Sequence, residues 1–216
     1  MLLCEDLLLL LTDDASGKNI AWSSELAPLL GGAMLCDLVL GGHVRLTEKG
    51  EDRLRRNRVV IDTDMLPTSD RLLAESYERL AGKRSWSTQA AVRKLQGKLK
   101  ERLYERLVTA ELLSADRETV LGVIPVTRYR PVDPSYERTL TDTLDRTLIG
   151  GETPDDHTAA LIGLLHAGGH LVKVTDRGRG IDRRAAKARA KELMKQFWPA
   201  KAAYDVIQAN RAAAAG

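Results

Sequence analysis

The chain has 216 residues, of which 44% are hydrophobic and 29% charged, so it can bury a substantial core and is not disordered on a large scale. Its formal net charge of +3 argues against a strongly basic or strongly acidic protein and excludes neither an anionic nor a cationic partner. The charge is uneven, because residues 83–106 and 177–195 each contain eight basic and two acidic residues. Two such segments suit a partner that carries phosphates.

Two apolar segments near the beginning of the chain are typical of buried helices. We predict a first helix over residues 2–11, followed by a polar turn, and a second helix that begins near Ser24 as its N-cap and ends at Gly41-Gly42. Trp22 lies between the two helices, outside their apolar periodicity. The opening run is too short to span a bilayer and lacks the basic residues of a signal peptide, so we expect a soluble, cytoplasmic protein.

The middle of the chain alternates between short strands and helices. We predict strands over 44–46 and 59–61, a helix over 71–80, and one long helix over 88–113. Leucines spaced four residues apart give the long helix one buried face: Leu95, Leu99, Leu103 and Leu107. The basic residues between them are then expected to point outward.

The rest of the chain is again mostly helical in pattern. The β-prone runs at 119–124 and 126–129 predict an exposed hairpin with an apolar tip. Four further helices are predicted, over residues 135–148, 155–165, 182–197 and 200–214. The expected fold class is therefore mainly α: a single globular helical domain, residues 1–216, with short β-hairpins.

No group of residues predicts catalysis or metal binding. The sequence has no Gly-x-Ser-x-Gly elbow and no His-Glu-x-x-His pattern, and we interpret His166 and His170 as packed core residues. Cys4 and Cys36 lie in apolar helical patterns and are expected to be buried free thiols. We expect no catalytic residue, no metal site, no cofactor and no enzymatic activity. The acidic pair at Asp155 is interpreted as stabilising a helix N-terminus.

Binding chemistry is better supported. The arginines at 53–58, the basic helix face at 83–106 and the basic loop and helix at 177–195 each indicate, taken singly, a solvated charged face. An aromatic side chain such as Trp22, together with cations, can hold a phosphorylated headgroup, and the apolar hairpin tip can enter a membrane interface. Together these features predict a peripheral membrane module.

Seven motifs, in order along the chain, resemble the Golgi phosphoprotein 3 family. They are Leu3–Leu10, Ala21-Trp22, Leu30–Leu38, Leu40–Leu46, Pro67–Asp70, the leucine pattern that follows Lys100-Glu-Arg-Leu103, and Leu161–Ala167. The resemblance covers residues 2–172 and, more weakly, the remainder. The alanine- and arginine-rich composition resembles that of a bacterial member.

This resemblance implies a non-enzymatic domain that binds phosphatidylinositol 4-phosphate, or another anionic phospholipid headgroup, at the inner, cytosolic face of a membrane. It also implies an adaptor role for membrane-protein tails. The hairpin corresponds to a family element that contacts the membrane and other copies of the chain, which makes a homo-oligomer a further expectation. Its candidate membrane-contact residues are Leu121, Val123 and Ile124.

The resemblance also suggests which residues hold the headgroup. Trp22 matches the family's headgroup tryptophan, and Lys100 matches one of its basic positions. Gly31 and the pair Gln96-Gly97 stand where the family has basic residues. The cations that compensate are expected to be Arg93 and Lys98.

Two other classes of function stay open at this point. A winged-helix regulator that binds nucleic acid is suggested by a helix followed by a hairpin at 25–46 and again at 99–129, although the first of these helices is too apolar to lie in a DNA groove. We therefore expect no nucleic-acid partner. The remaining alternative is a protein scaffold that does not bind lipid.

Overall fold

The fold consists of helices around one hydrophobic core, with two small hairpins. A computed structural model describes residues 1–51, 56–63, 68–120, 123–175 and 182–216. Its helices are α1 (Leu3–Leu10), α2 (Ser23–Leu40), α3 (Arg71–Ala81), α4 (Thr88–Leu95), α5 (Leu99–Thr109), α6 (Ser135–Leu148), α7 (Asp156–Gly168), α8 (Leu171–Thr175), α9 (Arg183–Gln196) and α10 (Trp198–Ala215). Its strands are β1 (Val44–Leu46), β2 (Val59–Ile61), β3 (Leu113–Val120) and β4 (Ile124–Pro131), paired antiparallel as β1 with β2 and β3 with β4. The mainly α fold class is confirmed.

Helix α2 is the central helix of the core. It packs against α1, α4, α7 and α10. Within the described ranges it is the one helix long and apolar enough to span a membrane, but most of it is buried inside the protein. Gly32 allows α10 to approach closely, because an added Cβ there would lie 2.7 Å from the Cβ of Ala203. Burial against neighbouring helices therefore accounts for the apolar character of α2.

The prediction of one long helix over 88–113 is wrong, because the structure has two helices there, but its buried face is correct. Helix α4 ends at Leu95, Lys98 has a left-handed φ of 55°, and α5 then begins at Leu99. A left-handed residue interrupts the right-handed helical path, which the leucine spacing could not reveal. All four leucines of the predicted face are nonetheless at most 3% exposed.

Helix ends were predicted with mixed success. Asp155 caps α7 as expected, since its carboxylate accepts a 2.8 Å hydrogen bond from the backbone N–H of Thr158. Ser24 is not the N-cap of α2, because the helix begins at Ser23 and Trp22 occupies the cap position without a side-chain hydrogen bond. The beginning of α2 is therefore less polar than predicted.

The opposite situation is found at the beginning of α1. Asp37, on α2, accepts hydrogen bonds from the backbone N–H groups of Leu3, at 2.7 Å, and Cys4, at 3.1 Å. Burial raises the pKa of Asp37 to about 6, against the lowering effect of these two hydrogen bonds. Cys4 and Cys36 are buried free thiols, as predicted. Burial also raises both of their pKa values, so they remain protonated.

The second hairpin extends from the core and exposes its tip. Its strands are longer than predicted, at eight residues each. Its base is anchored where the Tyr129 ring stacks on Tyr104 at 3.7 Å. At the tip, Val123 is 78% exposed and Ile124 is 50% exposed. The third predicted tip residue, Leu121, lies outside the described residues, as do Arg53, Arg55 and the basic loop at 177–180.

Candidate functional site

Trp22 presents its side chain to solvent at the beginning of α2. The loop before it is held by a bridge between Thr12 and Asn19 and by a backbone hydrogen bond of 2.8 Å from Ile20 to Leu11. The indole is 77% exposed and makes no hydrogen bond within the described part of the chain. Trp22 is therefore an accessible aromatic group beside an anchored loop rather than a core residue.

Arg93 is connected to the first turn of α2, next to Trp22. Its guanidinium donates a 3.1 Å hydrogen bond to the side-chain oxygen of Asn210, on α10. The amide nitrogen of Asn210 in turn donates to the backbone oxygen of Ser24, at 3.4 Å. The sequence analysis missed Asn210, and no local pattern indicates that a residue 186 positions away meets this turn.

Lys100 and Lys98 differ in their connection to this region. The Lys100 ammonium lies 6.0 Å from the centre of the Tyr104 ring. The Tyr104 hydroxyl accepts a 2.6 Å hydrogen bond from Asn19, in the loop that leads to Trp22. Lys98 is exposed at the beginning of α5 and forms no hydrogen bond or ion pair among the residues that are described. The structure thus links Arg93 and Lys100, but not Lys98, to the Trp22 loop.

Gly31 is closed off by helix α4. A Cβ added at Gly31 would lie 2.5 Å from the backbone oxygen of Val92 and 3.1 Å from the Cβ of Gln96. The side-chain oxygen of Gln96 is itself buried and has no hydrogen-bond partner in the described chain. The position where a family cation was expected is therefore a tight helix contact and not an empty pocket.

The first turn of α2 also carries an ion pair that the sequence analysis missed. Glu25 accepts a 2.5 Å hydrogen bond from Arg211 and lies 3.2 Å from the ring nitrogen of His170. Burial pushes the pKa of Glu25 upward, but the Arg211 hydrogen bond and charge, with His170, outweigh it and hold the pKa below its usual value. Burial lowers the pKa of His170 despite the nearby carboxylate. His170 is thus a partnered, packed residue.

A second aromatic and basic cluster lies before and along α4. The Lys83 and Lys94 ammonium groups lie 5.1 and 5.8 Å from the centre of the Trp86 ring. The sequence analysis counted these lysines within a basic segment but did not single out Trp86. The signal available was a tryptophan inside a stretch without carboxylates.

A cleft of about 750 Å³ lies between the beginning of α1, α3 and α5. Its basic side chains are all ion-paired: Arg106 pairs with Glu5 at 2.5 Å and with Asp70 at 2.8 Å, and Arg71 and Arg102 share Glu75, at 2.9 and 2.7 Å. Ion-paired guanidinium groups attract an anion much less than free ones. This cleft is therefore a weaker headgroup candidate than the surface around Trp22.

Burial disfavours α2 as a DNA-reading helix. Helix α2 precedes the β1–β2 hairpin, as the helix before a wing would, but 13 of its 18 residues are buried. A recognition helix must expose its side chains to base edges in a groove. α2 has no such face.

Comparison with models of protein families gives a match to this chain. The family is described as Golgi phosphoprotein 3 (GPP34), and the match covers residues 3–210. It extends from α1 into α10 and so includes Trp22, the α4 surface and Asn210. A search of curated proteins finds no match.

Proposed function

Because the chain belongs to the Golgi phosphoprotein 3 (GPP34) family, we propose that it is a peripheral membrane protein that docks on the anionic headgroups of a phospholipid bilayer. Membership supports the general role of that family, which is non-enzymatic and associated peripherally with membranes. The observation that carries the finer proposal is Trp22, an unpartnered indole, 77% exposed, at an end of α2 that Arg93 also reaches.

The physical argument combines two modest attractions. An indole favours the membrane–water interface, because its ring is apolar while its N–H can still donate to headgroups or water. Each lysine or arginine near an anionic leaflet contributes about 1 kcal/mol of further attraction. Trp22 supplies the first attraction, and Arg93 and Lys100 supply the second.

We further propose that recognition depends on charge rather than on the stereochemistry of one headgroup. A specific pocket needs cations at fixed positions around the phosphate. The contact of Gly31 with Val92 and Gln96 leaves no space for a side chain at one such position. Phosphatidylglycerol and phosphatidylinositol 4-phosphate should then bind in proportion to their charge.

The test is vesicle co-sedimentation of the full chain. Phosphatidylcholine vesicles are used alone, with phosphatidylglycerol, or with phosphatidylinositol 4-phosphate. The wild type should bind both anionic vesicles and not the neutral one. Trp22→Ala should bind roughly 10- to 100-fold more weakly, because burying a large aromatic side chain contributes about 1.5–3 kcal/mol.

The matched control is Val132→Ala, which removes another exposed apolar side chain, 60% accessible. It should bind as the wild type does. Equal binding by the wild type and Trp22→Ala would show that the site is wrong, and a folded wild type that binds none of the vesicles would refute the function. A DNA mobility shift on the same samples tests the nucleic-acid alternative.

Three finer expectations accompany this proposal. They are location at the inner face of a membrane, an adaptor role for membrane-protein tails, and self-association or membrane contact through the β3–β4 hairpin. The exposed Val123 and Ile124 at the hairpin tip support the last of these. Each stays a prediction.

A further inference from the structure

The stretch from Gly82 to Lys100 is unusual in its charge. It contains six basic residues and no aspartate or glutamate: Lys83, Arg84, Arg93, Lys94, Lys98 and Lys100. The whole chain, in contrast, has 33 basic and 30 acidic residues. The segment, which includes all of α4, therefore contains no carboxylate of its own.

Trp86 concentrates positive charge within the segment. Its indole N–H donates a 2.9 Å hydrogen bond to the backbone oxygen of Leu80, which fixes the orientation of the ring. Lys83 and Lys94 both lie within 6 Å of that ring, and neither forms an ion pair with a residue that the structure describes. Each lysine is attracted to the ring. Trp86 therefore holds two cations without an ion-pair partner around one side chain, where both are available to an anion.

The exposed face of α4 joins this cluster to the Trp22 region. Successive helical residues are about 100° apart, so Arg93 and Lys94 occupy neighbouring stripes. Both are exposed, while Val92 and Leu95 on the other side are buried. Arg93 is hydrogen-bonded to Asn210, which is hydrogen-bonded to the first turn of α2, whereas Lys94 lies against the Trp86 ring.

Helix stability alone does not explain this pattern. Cations near the C-terminal end of a helix are favourable by about 0.3–1 kcal/mol, which accounts for Arg93 and Lys94. Lys83 directly follows the C-terminal end of α3, where a cation is also favourable. The first turn of α4, where acidic residues are favoured, has none. The stretch is therefore more positive than its own helix requires.

We propose that the surface from Trp22 across the exposed face of α4 to Trp86 is an extended electrostatic contact for an anionic bilayer. The α4 strip comprises Lys83, Trp86, Arg93 and Lys94. This inference rests on the proposed function and extends it from one aromatic contact to a surface with two edges. The strip binds the bilayer by charge and lays α4 against the headgroups. It also explains how binding can tolerate the closed position at Gly31.

The test is vesicle binding by Lys83→Ala/Lys94→Ala, compared with Lys187→Ala/Lys191→Ala. The control removes the same charge from exposed positions of α9. With phosphatidylglycerol vesicles at low salt, the α4 variant should lose roughly 10- to 30-fold in affinity, since each lysine near the surface contributes about 1 kcal/mol. The control should lose less than about threefold through long-range charge alone. Lys83→Arg/Lys94→Arg should bind as the wild type does.

The dependence of binding on salt distinguishes the contribution of the α4 strip from that of Trp22. The difference between wild type and the α4 variant should shrink at high ionic strength, because exposed charges are screened. Trp22→Ala should retain the salt dependence of the wild type while binding more weakly. This pattern would support a strip that acts by charge beside an indole that acts by insertion.

The outcomes that overturn the inference are distinct from those that overturn the function. Wild-type affinity in the α4 variant, while Trp22→Ala still loses binding, defeats the strip and leaves the proposed function intact. Equal losses in the α4 and α9 variants would mean that net charge alone matters, which also defeats it. A loss confined to DNA binding in a mobility shift would identify the occupant as nucleic acid and contradict the proposal. Circular dichroism of each variant confirms that it is folded.

Discussion

The beginning of α2 and the middle of the same helix differ in how accessible their candidate binding positions are. At the first turn, Trp22 is exposed and without a side-chain cap. Nine residues along, Gly31 is fully closed by the backbone of α4. Asp37, near the other end, is buried and caps α1. One helix thus provides an open binding position and a closed packing position.

This difference separates two positions that the resemblance expects to act together. The resemblance assigns both Trp22 and position 31 to headgroup binding. In this protein only Trp22 is accessible, because α4 approaches α2 too closely for a side chain at 31. Position 31 is part of the core, while cations on α4 and α10 lie near the open end of α2.

The largest effect is expected from restoring the family cation at the closed position. Gly31→Arg should lower the free energy of unfolding by about 3 kcal/mol, the upper range for an overpacked core, because the new Cβ meets a backbone oxygen that cannot rotate away. Urea denaturation measures the loss. Vesicle affinity of the folded fraction should not rise.

The matched control is Gly97→Arg, at another position where the family has a basic residue. A Cβ there meets nothing within 4 Å, so its stability should change by less than about 0.5 kcal/mol. Its affinity for anionic vesicles should rise about fivefold. If Gly31→Arg were as stable as Gly97→Arg, the contrast between open and closed positions would be wrong.

A smaller effect is expected at Asp37, and it depends on pH. Because burial raises its folded pKa to about 6, the folded state binds more protons than the unfolded state between about pH 4 and 6. The contribution of Asp37 to the free energy of unfolding therefore decreases, by about 2–3 kcal/mol, as pH rises through this window. Asp37→Asn should remove that decrease.

Chemical denaturation of both proteins between pH 4 and 7 measures this contribution as their difference in stability. Asp37→Asn keeps one side-chain oxygen as an acceptor for α1 but does not ionise. A difference that stayed constant with pH would show that Asp37 is not a strained, buried carboxylate. Vesicle binding by the variant should match that of the wild type, since Asp37 lies away from the open end.

The smallest effect is expected at the ion pair of the first turn. Arg211→Ala should lower stability by about 0.5–1 kcal/mol at pH 7, because Arg211 is half exposed and water screens the pair. The lowered pKa of Glu25 makes its contribution present above the ordinary glutamate pKa and lost as pH falls through the folded pKa. The two proteins should converge in stability once the pH lies below the folded pKa of Glu25. A gap that persisted in acid would mean that Arg211 acts through packing and not through charge.

Much of the fold could be predicted because its signals are local. The spacing of Leu95, Leu99, Leu103 and Leu107 correctly identified one buried face. The turn residues and caps located most helix ends, as at Asp155. The break before Lys98 was missed although Gly97, a common helix stop, lies at it, because the leucine spacing continues across the break. The candidate site was harder still, since Trp22 could be named but its surroundings could not.

The sequence by itself determined the mainly α class, the apolar core helices, the second hairpin and the presence of a tryptophan outside the core pattern. These depend on hydrophobic periodicity and turn chemistry, which consecutive residues carry. Only the tertiary structure decided that Gly31 is closed, that Arg93 reaches Ser24 through Asn210, and that Lys83 and Lys94 share the Trp86 ring. These depend on the distances between elements, which are set by the packing of side chains far apart in the chain.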